Sequence, residues 1–273
     1  MKSNTGKSLK ILTECAILIA LSTVLSIFTP FEMPYGGSIT LASVAPLVVL
    51  AYRHGVKYAA PAALTASLLQ ALLGLKHFSN FTTWESIVAL LVFDYVIAFA
   101  IFGFSGMFRK LIRMQNLSMV SGALLASVIR YACHTISGAT VWAGLSIPNE
   151  AALLYSMSYN ATYMIPETII LLLTVAYLGS ALDFRRDIPT RIKNEKLDTV
   201  SVYALLSAGF TLLATLITDT VLVFSNLQSE TGEFAITGLA SVNWISVGIV
   251  SAVGLCITAI PVILAVKRSR RLH

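Results

Sequence analysis

Arg130-Tyr-Ala-Cys-His134-Thr-Ile-Ser-Gly138-Ala-Thr-Val-Trp142 closes an apolar run long enough to cross a bilayer, yet it carries an arginine and a histidine one helical turn apart. A helix rises about 1.5 Å per residue, so about 20 apolar residues span the hydrocarbon. An ionisable group at that depth costs about 3 kcal/mol, which makes it a functional-site hypothesis by default. Three other apolar segments carry polar residues at comparable depth: Gln70, Asp94-Tyr95, and Tyr155 to Asn160. Together these groups predict a pocket for a small polar or cationic solute.

The rest of the chain agrees with a membrane setting. Of 273 residues, 56% are hydrophobic and 12% charged, and the mean hydropathy is +0.80. Soluble domains carry about 25% charged residues. The net charge of +6 does not argue for nucleic acid, because the basic residues fall in short clusters between apolar runs. Cys15, Cys133 and Cys256 lie inside apolar runs at unrelated spacings, so neither a disulfide nor a metal site is expected. No nucleophile–base pair, ATPase motif or cofactor fingerprint is evident, and the chain does not read as an enzyme.

Hydropathy predicts an all-α polytopic protein with spans at 11–29, 38–52, 58–75, 86–107, 117–141, 151–178, 200–224 and 241–266, the second being short. Of the 19 basic residues, all but Lys76 and Arg130 fall on the face that also holds the N-terminus. The positive-inside rule makes that face, with both termini, cytoplasmic. The charged stretch 183–198 reads as a linker between a six-helix unit, 1–182, and a two-helix extension, 199–273.

Depth then follows from the helical rise. Asp94, His134, Tyr159 and Asn160 fall about 12–14 Å below the outer surface, Tyr155 about 6 Å, and Arg130 about 18 Å. A carboxylate among the rings of Tyr95, Tyr155, Tyr159 and Trp142 suits a flat cationic heterocycle, with cation–π attraction of about 0.5–2 kcal/mol per contact. Structural roles compete at each position. They are pairing with Arg130 for Asp94, bonding helices together for His134 and Asn160, and anchoring at the interface for Tyr155 and Trp142. Glu167, deep in the sixth span, is expected to face Arg130, and Asp219 has no assigned role. Ala16-Ile-Leu-Ile-Ala20 offers a small-residue face for close helix approach.

Several separated segments resemble, in order, the thiamine-specific substrate-binding (S) component of energy-coupling factor transporters, the ThiT family. They are Thr13-Glu14 leading into Ala16-x-x-x-Ala20, Pro34-Tyr-Gly-Gly-Ser-Ile-Thr-Leu41, Asp94-Tyr95, Arg130-Tyr-x-x-His134 with Gly138 and Trp142, and Tyr155-Ser-x-x-x-Asn160. The resemblance covers about residues 11–180. It implies a six-helix vitamin B1 binder in a bacterial cell membrane, docking on a coupling transmembrane subunit with two ATPase subunits. By position, Asp94 and Tyr95 would contact thiamine, and His134, Tyr155 and Asn160 would ligate its aminopyrimidine. Trp142 would stack, Tyr35-Gly36-Gly37 would cover the pocket, and Ala16 and Ala20 would meet the coupling subunit. Some members carry tryptophans where this chain has glycine near Gly37 and Gln70, which would alter stacking. The extension 199–273 has no counterpart in the family pattern. Competing readings are an S component for another vitamin or pyrimidine-like precursor, and an autonomous proton-coupled carrier using Asp94, His134 and Glu167.

Overall fold

The computed structural model describes residues 2–33, 37–75, 84–144, 149–192, 199–226 and 240–271. They form two compact units that divide between Ile192 and Lys193. Among the described residues, six helices are long and apolar enough to cross a membrane: Ser8–Ile27, Val56–Leu73, Ile87–Lys110, Gln115–Ala139, Ala152–Ala181 and Trp244–Pro261. The protein is a multi-pass membrane protein of the all-α class, with two short strand pairs outside its long helices among the described residues.

The first unit opens with α1 (Lys2–Ile27), followed by two short antiparallel strands, β1 (Phe31–Glu32) and β2 (Ser38–Ile39). The span predicted over 38–52 is not a full crossing. Its helix, α2 (Ala45–His54), has 10 residues, about 15 Å of rise against about 30 Å of hydrocarbon. Residues Ala45 to Arg53 are all buried, as expected of a helix apolar on every side. Gly55, at φ +73°, turns the chain into α3 (Val56–Leu73); only glycine adopts that backbone region without strain.

The fourth rod, α4, changes its winding along its length. It is α-helical over Trp84–Ala89, a π-helix over Leu90–Ile97, α again over Ala98–Ala100, and a 3-10 helix over Ile101–Lys110. The tight final stretch lies against α2, where a Cβ on Gly106 would stand 2.0 Å from the Ala51 carbonyl oxygen. The wide stretch carries Asp94 and Tyr95, and such local widening is frequent at functional sites. α5 (Gln115–Gly144) and α6 (Asn149–Ala181) then pack side by side. Val48, Tyr52, Phe102, Met119, Leu171 and Val175 meet in the core.

Past α6 the chain does not leave the unit at once. β3 (Leu182–Asp183) pairs with β4 (Thr190–Arg191), and Phe184 between them is buried. The Gln115 amide holds this hairpin, donating to the carbonyls of Gly179 at 2.8 Å and Leu182 at 2.6 Å and accepting from the Phe184 N–H at 3.0 Å. The Arg185 backbone N–H and the Arg186 guanidinium keep the half-buried Asp183 carboxyl below its usual range.

The second unit pairs α7 (Thr199–Phe224) with α8 (Trp244–Arg271). A Cβ on Gly254 would stand 2.1 Å from Thr215 Oγ1, and Ser251 Oγ donates to Asp219 Oδ2 at 2.6 Å. The rising number on one helix meets the falling number on the other, so the two are antiparallel.

Candidate binding site

Gly138 determines how closely α5 and α6 approach. A Cβ there would stand 2.2 Å from Ser156 Oγ, so a larger residue fits only if the Ser156 hydroxyl gives up its place or the helices move apart. At this separation Ser156 Oγ donates to the Thr135 carbonyl at 2.8 Å, and Asn160 Nδ2 donates to the His134 carbonyl at 3.1 Å. Asn160 Oδ1 accepts from the Tyr163 hydroxyl at 2.7 Å. Asn160 is therefore helix glue in the sense expected from sequence, and among the described residues one Oδ1 lone pair remains for another donor.

Around this joint the polar groups form a chain. Arg130 Nε donates to His134 Nε2 at 3.3 Å, and Arg130 NH1 donates to Glu167 Oε2 at 2.8 Å. A guanidinium can only donate, so Nε2 is the acceptor and the imidazole proton sits on Nδ1. That nitrogen faces Asp94 Oδ1 at 3.0 Å. The pair is close but not in line: Asp94 Oδ1 is cut off from solvent without an aligned donor among the described residues. The Arg130 guanidinium lies over the Phe99 ring, 4.7 Å from its centroid.

Aromatic rings cover one side. Tyr163 meets His134 edge-on with ring centroids 6.4 Å apart, and Tyr159 meets Tyr163 likewise at 5.8 Å. Gly37 lies on this pair: its N–H donates to the Tyr159 hydroxyl at 3.2 Å, and a Cβ would stand 2.8 Å from the Tyr163 ring. Thr40 Oγ1, three residues on, donates to Glu167 Oε1 at 2.5 Å. Beside Thr40, Ser43, Ser127, Arg130 and Glu167 is a cavity of about 10 Å³, the size of a single water.

The sequence-expected residues are distributed as follows. Asp94, His134, Asn160 and Gly37 are brought together. Tyr155 is buried one turn before Tyr159 on the same face of α6. Tyr95 reaches the end of α3, where a Cβ on Gly74 would overlap its hydroxyl. Gln70 is half-buried one turn before Gly74, and among the described residues no hydrogen bond joins its side chain to the cluster. Tyr35 lies outside the described residues, as does the side chain of Trp142, whose backbone ends α5. Ala16 and Ala20 are exposed on α1. Of the two carboxylates expected near Arg130, Glu167 pairs with it as expected and Asp94 does not, because rotation of α6 brings Glu167 to the arginine while Asp94 meets the imidazole.

Tyr163 is not among the residues expected from sequence, and Ser156 and Thr40 stand in the quoted segments with no role assigned to them. Tyr155, Tyr159 and Tyr163 recur at four-residue spacing, the period of one helix face, and that signal would have found Tyr163. Thr40 is marked only as part of the Pro34–Leu41 segment, and nothing local points it at Glu167.

The family model described as thiamine transporter protein matches residues 12–184. The thiamine transporter ThiT of Bacillus subtilis is 33% identical over 186 residues, covering 64% of this chain and 93% of that protein. The solved structure of ThiT from Listeria monocytogenes superposes with a TM-score of 0.49 at 25% identity, over 63% of this chain and 94% of that one.

Proposed function

The chain belongs to the thiamine transporter protein family, a family of transport proteins rather than enzymes, and from that premise we propose that it is the membrane-embedded thiamine-binding subunit of an ATP-driven energy-coupling factor importer. It captures thiamine from the outer face and docks on a coupling transmembrane subunit carried by two ATPase subunits. In this reading both termini are cytoplasmic, as the lysine and arginine distribution favours.

The observation that carries the reading is the charge balance at Asp94. Arg130 is offset by Glu167 across 2.8 Å, and His134 is held as the neutral imidazole by the Arg130 donor. One carboxylate is then left uncompensated, with an oxygen that has no aligned donor among the described residues. Thiamine supplies both complements, a cationic thiazolium and an amino group on a flat pyrimidine. Tyr159, Tyr163 and Tyr155 supply ring faces, and Asn160 Oδ1 and the His134 ring supply directional contacts. Trp142, Tyr95, Gln70 and the Tyr35–Gly37 segment complete the proposed contact set. Ala16 and Ala20, exposed on α1, are the proposed contact with the coupling subunit.

Titration of the detergent-purified protein with thiamine tests the assignment. Binding heat, with thiamine identified by mass spectrometry in the purified protein, is the expected result. Absence of both would reject thiamine as the ligand. Vesicles holding this chain alone should not accumulate thiamine under a pH gradient; accumulation would identify an autonomous carrier instead.

A further inference from the structure

The segment around strand β2 is fastened to α6 at the two residues that flank the strand, one at the aromatic pair and one at Glu167. Gly37 bonds Tyr159 and Thr40 bonds Glu167. The three residues from Gly37 to Thr40 extend about 10 Å, and the eight from Tyr159 to Glu167 rise about 12 Å along the helix. The strand therefore runs along α6 and spans the gap between its two attachments. Glu167 uses its other oxygen on Arg130, whose Nε fixes the His134 ring. Both side chains of that ion pair are under a tenth exposed, so water cannot replace either partner.

We infer that Glu167 is a positioning residue for the binding site, holding His134 in its Nδ1–H tautomer through Arg130 and holding strand β2 against the tyrosine pair through Thr40. Glu167 itself stands outside the set of residues proposed to touch the ligand. Its two oxygens bind two separate supports of the site, so one carboxylate couples them. The inference rests on the thiamine-binding reading for its affinity arm only.

The test combines ¹⁵N-histidine NMR of the ligand-free full chain with thiamine titration. Wild type should show His134, identified by its absence from His134→Gln, as the Nδ1–H tautomer. Glu167→Gln should move it toward the commoner Nε2–H form and weaken thiamine binding about tenfold or more. Thr40→Val should weaken binding with the His134 signal unchanged, and Thr40→Ser should restore it. Wild-type affinity in both Glu167→Gln and Thr40→Val, or an Nε2–H tautomer in wild type, would overturn the inference. Should wild type fail to bind thiamine, the functional reading falls, while the histidine spectra still decide this one. Should Glu167→Gln not fold, the Thr40→Val and Thr40→Ser pair decides it.

Discussion

Arg53 on α2 binds Glu14 on α1 with two of its nitrogens, while its remaining donors reach the carbonyls of Phe184, Arg186 and Asp187 at 3.1 Å each. His54 Nε2 lies 2.8 Å from the same carboxylate. One guanidinium thus joins the first helix, the half-length second helix and the hairpin after α6. The Arg53 side chain is 4% exposed, so it is a buried junction rather than one of the solvated charges that set topology. Glu14→Gln should destabilise the ligand-free protein by about 3 kcal/mol, the cost of leaving a buried charge half-paired. Arg53→Lys should recover little, since an ammonium lacks the planar fork. Thermal unfolding in detergent measures both, and an unchanged midpoint in Glu14→Gln would remove the junction from the list of stabilising contacts.

Asp94 and His134 should carry ligand affinity. Asp94→Asn and His134→Ala are each expected to weaken thiamine binding more than about tenfold, or more than about 1.4 kcal/mol. Cys133→Ala, one residue from His134 and buried in packing, should leave affinity within about twofold. Calorimetric titration of the three variants checks this, and equal affinities would displace the site from this end of α5.

A side chain at Gly138 should be costly in the wild-type background. Gly138→Ala places its methyl against Ser156 Oγ and should cost about 1–3 kcal/mol of stability by overpacking, with thiamine affinity falling as Asn160 is pushed from the His134 carbonyl. Ser156→Ala removes the clashing oxygen, so the double variant should be more stable than Gly138→Ala alone. Additive losses in unfolding measurements would show that the helices meet elsewhere.

Replacement of Ala16 and Ala20 by leucine should spare thiamine binding to the purified chain and abolish uptake by whole cells, because both residues are exposed on α1 and away from the core. Uptake that survives the double replacement would exclude this face as the contact with a coupling subunit.

Every described residue of the candidate site belongs to the first unit, Met1–Ile192. A chain ending at Ile192 should bind thiamine as the full chain does, which makes the α7–α8 pair dispensable for capture. A loss of affinity above about tenfold in calorimetry would assign part of the site to residues 193–273.

Hydropathy and charge were enough to identify the long helices, because crossing a bilayer depends on a local sum over about 20 residues. They were also enough to single out Asp94, His134 and Asn160 as candidates, since a polar group in an apolar run is conspicuous wherever the helix faces. Two features were decided only by the tertiary structure: which of the two carboxylates expected near Arg130, Asp94 or Glu167, answers it, and that Thr40 fastens the segment around β2 to α6. Each depends on how far one helix is rotated and how near it stands to the next. That rotation and spacing come from contacts such as Gly138 against Ser156 and Gly106 against Ala51, between residues far apart along the chain, which no window of consecutive residues contains.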